Sequence, residues 1–150
     1  MKRKRKLLYI LTGVLVVIAV AAWYIYSEYN RTHKDTALLK PDYTLNALDI
    51  IREFEADEPA SGKKYWDKVI RVTGAVKNIT KDEQGSFFVS LGDSSSLSSV
   101  RCSIDSAHSS EAARVHPGSY IAVKGICAGF SADELLGSDV ILVRCVFDKN

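Results

Sequence analysis

The sequence holds little of what chemistry usually requires. Its 150 residues include three cysteines, three histidines and one methionine. No C-x-x-C occurs, His33 falls in a polar stretch, and His108 and His116 fall in a connecting segment, so a metal site is not expected. The serine cluster Ser94–Ser99 lacks a G-x-S-x-G elbow. Cys102 has the alternation of a core residue, whereas a working nucleophile must reach substrate beside its base, such as His108 or His116. Asp57-Glu58 and Asp133-Glu134 read as solvated turn carboxylates. Neither an enzyme nor a cofactor is expected. Glycine (nine) and proline (three) are too few for a low-complexity chain, and 47% apolar content argues against disorder. The length suits one small domain.

Positive charge is concentrated in one place. Lys2, Arg3, Lys4, Arg5 and Lys6 open the chain. Without them the remainder carries 15 Lys+Arg against 18 Asp+Glu, formally three negative charges. A nucleic-acid-binding surface would carry its cations on the folded part.

Leu7–Tyr26 (LLYILTGVLVVIAVAAWYIY) is 20 residues without a charge. As a helix it reaches roughly 30 Å, the thickness of a bilayer's hydrocarbon core. The basic cluster places the N-terminus in the cytoplasm and the rest of the chain outside. Tyr9 at one end and Trp23, Tyr24 and Tyr26 at the other suit the two interfaces. This predicts a single-pass signal anchor in the cytoplasmic (inner) membrane, with the lipid bilayer as a partner and an extracytoplasmic (periplasmic) C-terminal domain. A cleaved signal peptide is the alternative, with Leu7–Ile18 as its apolar region and Ala19-Val20-Ala21 as its cleavage site. No Cys directly follows the apolar run, which argues against a lipoprotein.

The predicted organisation is a basic tail (1–6), the anchor (7–26), a polar juxtamembrane stalk (27–43) and a folded domain (44–150). Leu45, Leu48, Ile51 and Phe54, with Ala47 and Ile50 beside them, recur at helical spacing. Thr44 or Asp42 could cap that helix, and Asp57-Glu58-Pro59 ends it. Residues 60–66 are ambiguous. From Lys68 the period becomes two. Strands are predicted at Val69–Lys77, Ser86–Leu91, Val100–Ile104, Ser119–Ala128 and Asp139–Phe147, with Ile141, Val143, Cys145 and Phe147 aligned in the last. A short helical turn at Glu111–Arg114 separates the third from the fourth. Thr80–Gly85, Gly92–Ser99 and Phe130–Ser138 are predicted mobile loops.

Five short strands with a small helix between the third and fourth follow the order of an OB-fold, a five-stranded Greek-key barrel. The fold class is therefore mainly β: an OB barrel preceded by an amphipathic helix and an N-terminal transmembrane helix. Gly74 and Gly125 suit strands that coil sharply or meet another backbone closely.

At these residues the chain resembles the tRNA_anti-like OB-fold family of small exported, membrane-anchored bacterial proteins. The resemblance covers Thr44–Phe147. It rests on Lys68-Val69-Ile70-Arg71-Val72-Thr73-Gly74-Ala75-Val76, Val89-Ser90-Leu91-Gly92, Val100-Arg101-Cys102, Val123-Lys124-Gly125-Ile126-Cys127-Ala128-Gly129-Phe130 and Val140…Cys145, in that order. It implies a fold and no catalytic residues. The family is named for its likeness to the anticodon-binding domain of aminoacyl-tRNA synthetases, which is not evidence of tRNA binding.

An exported domain permits disulfides. In an OB barrel the fifth strand lies beside the third and fourth, so Cys127–Cys145 is the favoured bridge; Cys102–Cys145 and free buried thiols remain open. The expected ligand face carries Phe88 and Arg101, flanked by Lys81 and Phe130 on loops. A protein (for instance of the cell envelope), a peptide or a small molecule is the expected ligand. Single-stranded nucleic acid or an oligosaccharide on the same face is the alternative. Sparse cations and a site across the membrane argue against nucleic acid.

Overall fold

The computed structural model describes residues 2–29, 35–133 and 135–148, and within the first helix it gives side-chain surroundings for residues 13–26. Two compact units result, Met1–Lys34 and Asp35–Asn150.

The first unit contains helix α1, Lys2–Tyr29. The apolar run Leu7–Tyr26 is thus helical throughout. Trp23 and Tyr26 are exposed, as are the valines and isoleucines around them. The side chain of Leu7 lies outside the described residues. Among the residues whose surroundings are described, which in α1 are 13–26, no helix is long and apolar enough to cross a membrane.

The first strand of the second unit is β1, Tyr43–Asn46, followed by helices α2, Ala47–Ala56, and α3, Glu58–Tyr65. Strands β2, Val69–Lys81, β3, Phe87–Leu91, and β4, Ser99–Ile104, follow. A short helix α4, Ser109–Ala112, leads to β5, Tyr120–Asp133, and β6, Gly137–Phe147. The sheet order is β1-β2-β3-β4-β6-β5, and β5 returns to pair with β2. The closed part (β2-β3-β4-β6-β5) is the predicted five-stranded barrel, with α4 between its third and fourth strands. Among the described residues the sheet has six strands, because β1, unforeseen, adds in parallel alongside β2, Tyr43 opposite Ile70 and Asn46 opposite Thr73.

β1 also moves the helix start. Leu45 belongs to the sheet, so Asn46, and not Thr44 or Asp42, caps α2, its Oδ1 accepting from Leu48 N–H at 3.0 Å. α2 buries Ala47, Ile50, Ile51 and Phe54 and leaves Leu48 at the surface. Asp57 ends α2 and caps α3, its carboxylate accepting from Ala60 N–H. The ambiguous stretch is therefore a second helix. It is tied back by Ser61 Oγ donating to the Glu53 carbonyl (2.8 Å) and Tyr65 Oη donating to the Glu53 carboxylate (2.7 Å). That bond and the Lys64 ammonium hold the Glu53 carboxyl below its ordinary range, the ammonium contributing most.

β2 closes the barrel. Its first half, Val69–Ala75, pairs with β5, and its second, Val76–Lys81, pairs with β3. Alternation places Ile70, Val72 and Val76 inside with Val89, Leu91, Val100, Cys102, Val123 and Cys127. β6 departs from its predicted phase. Val140 and Leu142 face inward, whereas Ile141 and Val143 are half-buried on the other side. The run Val140–Val143 is apolar on both faces, so alternation alone could not choose between them. A bulge in the β4–β6 ladder, with Arg144 at φ +50°, then turns Cys145 inward.

The predicted stalk over 27–43 is shorter than expected. Residues 30–34 lie outside the described residues, and from Asp35 the chain is packed on the barrel. A 3-10 turn, Thr36–Leu38, is capped by Asp35, and Thr36 is buried. The Lys124 ammonium, itself 7% exposed, donates to the carbonyls of Ala37 and Leu39, both at 2.9 Å. The folded unit therefore begins at Asp35, nine residues ahead of the predicted boundary at 44.

The two glycines expected to permit close approach do so. A Cβ on Gly74 would lie 2.9 Å from Ala47 Cβ, and one on Gly125 would lie 2.5 Å from Cys145 Sγ. Gly129, also in β5, has nothing within 4 Å of that position. Gly125→Ala should therefore cost about 1–3 kcal/mol by overpacking, while Gly129→Ala leaves the melting temperature nearly unchanged. Equal melting temperatures for the two variants would contradict this packing. Lys124→Ala should cost about 2 kcal/mol, because two charge-assisted hydrogen bonds are lost. It should also speed chymotryptic cleavage at Leu38 and Leu39, and unchanged cleavage would show the segment to be held by other contacts.

Candidate ligand-binding face

On β3 and β4 the outward positions are Phe88, Ser90, Arg101 and Ser103, because Val89, Leu91, Val100, Cys102 and Ile104 fill the interior. Phe88 pairs with Ser103, and Ser90 with Arg101. The Arg101 guanidinium lies over the Phe88 ring, 5.3 Å from its centroid. That pair places a cation over an aromatic ring at an outward position of the barrel.

The other two predicted residues fall elsewhere. Lys81 ends β2 opposite Phe87, with its ammonium 5.2 Å from that ring's centroid. Phe87 packs against the core, on the face of β3 opposite to Phe88. Phe130 is not on a loop. It lies in β5 opposite Val140 and stacks on Phe54 of α2 at 5.0 Å, with ring planes 17° apart. It is a packing residue beneath the helix.

The three predicted loops are more ordered than their composition implied. Thr80 and Lys81 belong to β2, and the turn after them is built on Asp82, whose carboxylate accepts from the N–H groups of Gln84 and Ser86. The segment before β4 is clamped by Lys77, whose ammonium donates to the carbonyls of Ser96 (2.6 Å), Leu97 (3.4 Å) and Ser98 (3.0 Å). The predicted loop Phe130–Ser138 is mostly a hairpin, paired as far as Asp133 opposite Gly137.

Cys102, Cys127 and Cys145 are buried free thiols. The favoured bridge is absent for a geometric reason. Cys127 pairs with Leu142, and Cys145 packs where a Gly125 Cβ would be. Gly125 is two residues from Cys127, roughly 7 Å along the strand before the inter-strand spacing is added. A disulfide needs a Cα separation of about 4.4–6.8 Å. Cys145 instead lies near Cys102 in the interior, where the Cys102 thiol donates to the Val100 carbonyl at 3.9 Å. Burial pushes the Cys127 thiol up to about 11, and burial together with Cys102 raises the Cys145 thiol well above its usual range.

Two surface clefts, which sequence reading missed, lie away from the Phe88–Arg101 pair. One, of about 440 Å³, is bounded by Asn46, Gly74, Lys77, Gly92, Pro117 and Tyr120, and an Asn46–Tyr120 hydrogen bond of 3.0 Å crosses it. The other, of about 380 Å³, surrounds the Arg71–Asp148 ion pair (2.6 Å). Their walls come from segments far apart in sequence, so no local pattern announces them. Among the described residues, no group of three or more His, Cys, Asp or Glu side chains is arranged to hold a metal ion.

A five-stranded barrel closed by β2–β5, with parallel β4 and β6 and a helix before β5, defines the OB class. The tRNA_anti-like family model matches residues 1–147, and the chain belongs to that family. Among solved structures it is similar to a putative nucleic acid-binding lipoprotein from Klebsiella pneumoniae subsp. pneumoniae, at 18% identity and a TM-score of 0.55, covering 70% of this chain and 91% of that one. It is also similar to asparaginyl-tRNA synthetase from Pyrococcus horikoshii (19% identity, TM-score 0.39), covering 57% of this chain and 20% of the synthetase. A third similarity is to the S. pombe Stn1-ten1 complex (19% identity, TM-score 0.37), covering 55% of this chain and 59% of that one. At 18% identity the likeness to the lipoprotein is one of fold. No curated protein matches the chain.

Iodoacetamide applied to the folded protein should leave all three thiols unmodified, and the same treatment in denaturant should label all three. Mass spectrometry showing label on folded Cys102, Cys127 or Cys145 would contradict their burial.

Proposed function

We propose that the chain is a membrane-tethered OB-fold binding module without catalytic activity. α1 anchors it in the cytoplasmic membrane with Lys2–Lys6 inside. The barrel stands on the extracytoplasmic side and binds a protein (for instance of the cell envelope), a peptide or a small ligand. The observation that carries the reading is the contrast between the barrel's two sides. The interior is filled by Val72, Val89, Val100, Val123, Leu142 and Cys145, all fully buried, so recognition falls to the outer surface. There the Arg101–Phe88 pair places a cation over an aromatic ring. The anchor is supported by the 20 uncharged residues Leu7–Tyr26 within a continuous helix and by the cations that precede them.

A second reading, single-stranded nucleic acid or an oligosaccharide on the same face, is favoured by the Arg101–Phe88 pair, since bases stack on aromatic rings and guanidinium planes. Weighing against nucleic acid, several cations of the barrel unit are engaged internally. Lys77 and Lys124 hold backbone carbonyls, Arg71 pairs with Asp148, and Lys64 with Glu53.

Alkaline phosphatase fused behind Asn150 should be active and β-galactosidase inactive; the reverse would place the barrel inside. The full chain should not retard an oligothymidylate in a gel at low salt. Retardation that fades with salt and is lost in Phe88→Ala and Arg101→Ala would establish the nucleic-acid reading instead.

A further inference from the structure

Three strongly exposed leucines come together at one end of the barrel. Leu97 (68% exposed) lies between β3 and β4, and Leu135 and Leu136 (84% and 76%) lie at the tip of the β5–β6 hairpin. The two segments touch. A Cβ on Gly137 would lie 2.7 Å from Leu97 Cβ, and Ser138 N–H donates to Ser98 Oγ at 3.1 Å. Both are tied by hydrogen bonds. Lys77 clamps the carbonyls of 96–98, and one oxygen of Asp133 accepts from the N–H groups of Leu135 (2.8 Å) and Leu136 (2.9 Å). Single exposed apolar residues are ordinary. Three of them, on two segments that touch at Gly137 and Ser138, gather apolar surface within a polar rim.

The rim is acidic. Asp93 and Asp133 sit in these two segments, each held below the usual carboxylate range by the N–H groups it accepts from, Ser95 for the first and Leu135 then Leu136 for the second. Glu55 accepts from Ser98 Oγ at 2.8 Å, and Asp139 from Ser99 Oγ at 2.6 Å. Lys77 offsets part of this charge, since its ammonium, held on the carbonyls of Ser96 and Ser98, also helps to lower Asp93, but four carboxylates against that one ammonium leave the rim acidic.

We propose that this tip docks a protein segment presenting apolar side chains flanked by lysine or arginine. The apolar patch selects the side chains, and the carboxylate rim selects the flanking charge. An anionic bilayer surface is the wrong complement, since it would repel the rim. The site is separate from the Phe88–Arg101 face, because it gathers at the start of β4 and β6 whereas Phe88 pairs with Ser103 near the end of β4.

The test uses the full chain in phosphatidylcholine nanodiscs, with bimane attached at Leu136→Cys; the native thiols are buried, so labelling is specific. The probes are two 14-residue amphipathic helices, one of leucine and lysine and one of leucine and glutamate, with empty nanodiscs as the blank. Bimane emission should be that of a water-exposed probe, shift blue with the leucine–lysine peptide and stay fixed with the leucine–glutamate peptide. Asp93→Asn with Asp133→Asn keeps both turn-forming oxygens and should raise the half-saturating concentration about five-fold. Emission already blue before any peptide would assign the tip to the bilayer. No shift with the leucine–lysine peptide, or equal shifts with both, would overturn the proposal. Leu97→Ser, read with the same probe, should weaken binding without disturbing the hairpin, and an unchanged response would remove Leu97 from the site.

Discussion

Closure of the barrel through β2 is the constraint on which the rest of the domain depends. One strand has to satisfy β5 over its first seven residues and β3 over the remainder, so it coils through a steep arc. Backbones and side chains are then forced close where α2 and β6 cross the barrel wall. Gly74 and Gly125 stand at those two crossings because a side chain there would collide with Ala47 or Cys145. Closure also pairs strand edges that an open sheet would expose, and it leaves an interior so narrow that valines, leucines and thiols fill it.

A solid interior directs function to the outside, and the outside is organised by buried or clamped cations. Lys124 fastens the segment that leads in from the first unit, and Lys77 fastens the segment before β4. An ammonium held against two or three carbonyls orders backbone that has no ladder of its own. The same use withdraws positive charge from the surface. The barrel unit thus presents hydrogen-bonded loops with an acidic balance.

Much of the architecture was legible from period and punctuation. Alternation located five strands, because Val69–Val76, Phe87–Leu91 and Val100–Ile104 each have one apolar face. It failed in β6, where Val140–Val143 is apolar on both faces and a bulge at Arg144 resets the phase. It also missed β1, since four residues with a half-buried pattern carry too little signal without their partner strand. Of the predicted ligand face, Phe88 and Arg101 meet because they are outward neighbours on paired strands. Phe130 was misplaced because its strand runs on into what composition marked as a loop.

The sequence by itself determined the apolar helix, the barrel's strand order and the scarcity of catalytic groups, since each follows from local composition or from spacing along the chain. Tertiary structure alone decided which thiols meet, where Lys124 and Lys77 direct their charge, and that leucines 38 and 39 residues apart from Leu97 share one surface with it. Those outcomes depend on register between strands distant in sequence, and register is set by the packed whole.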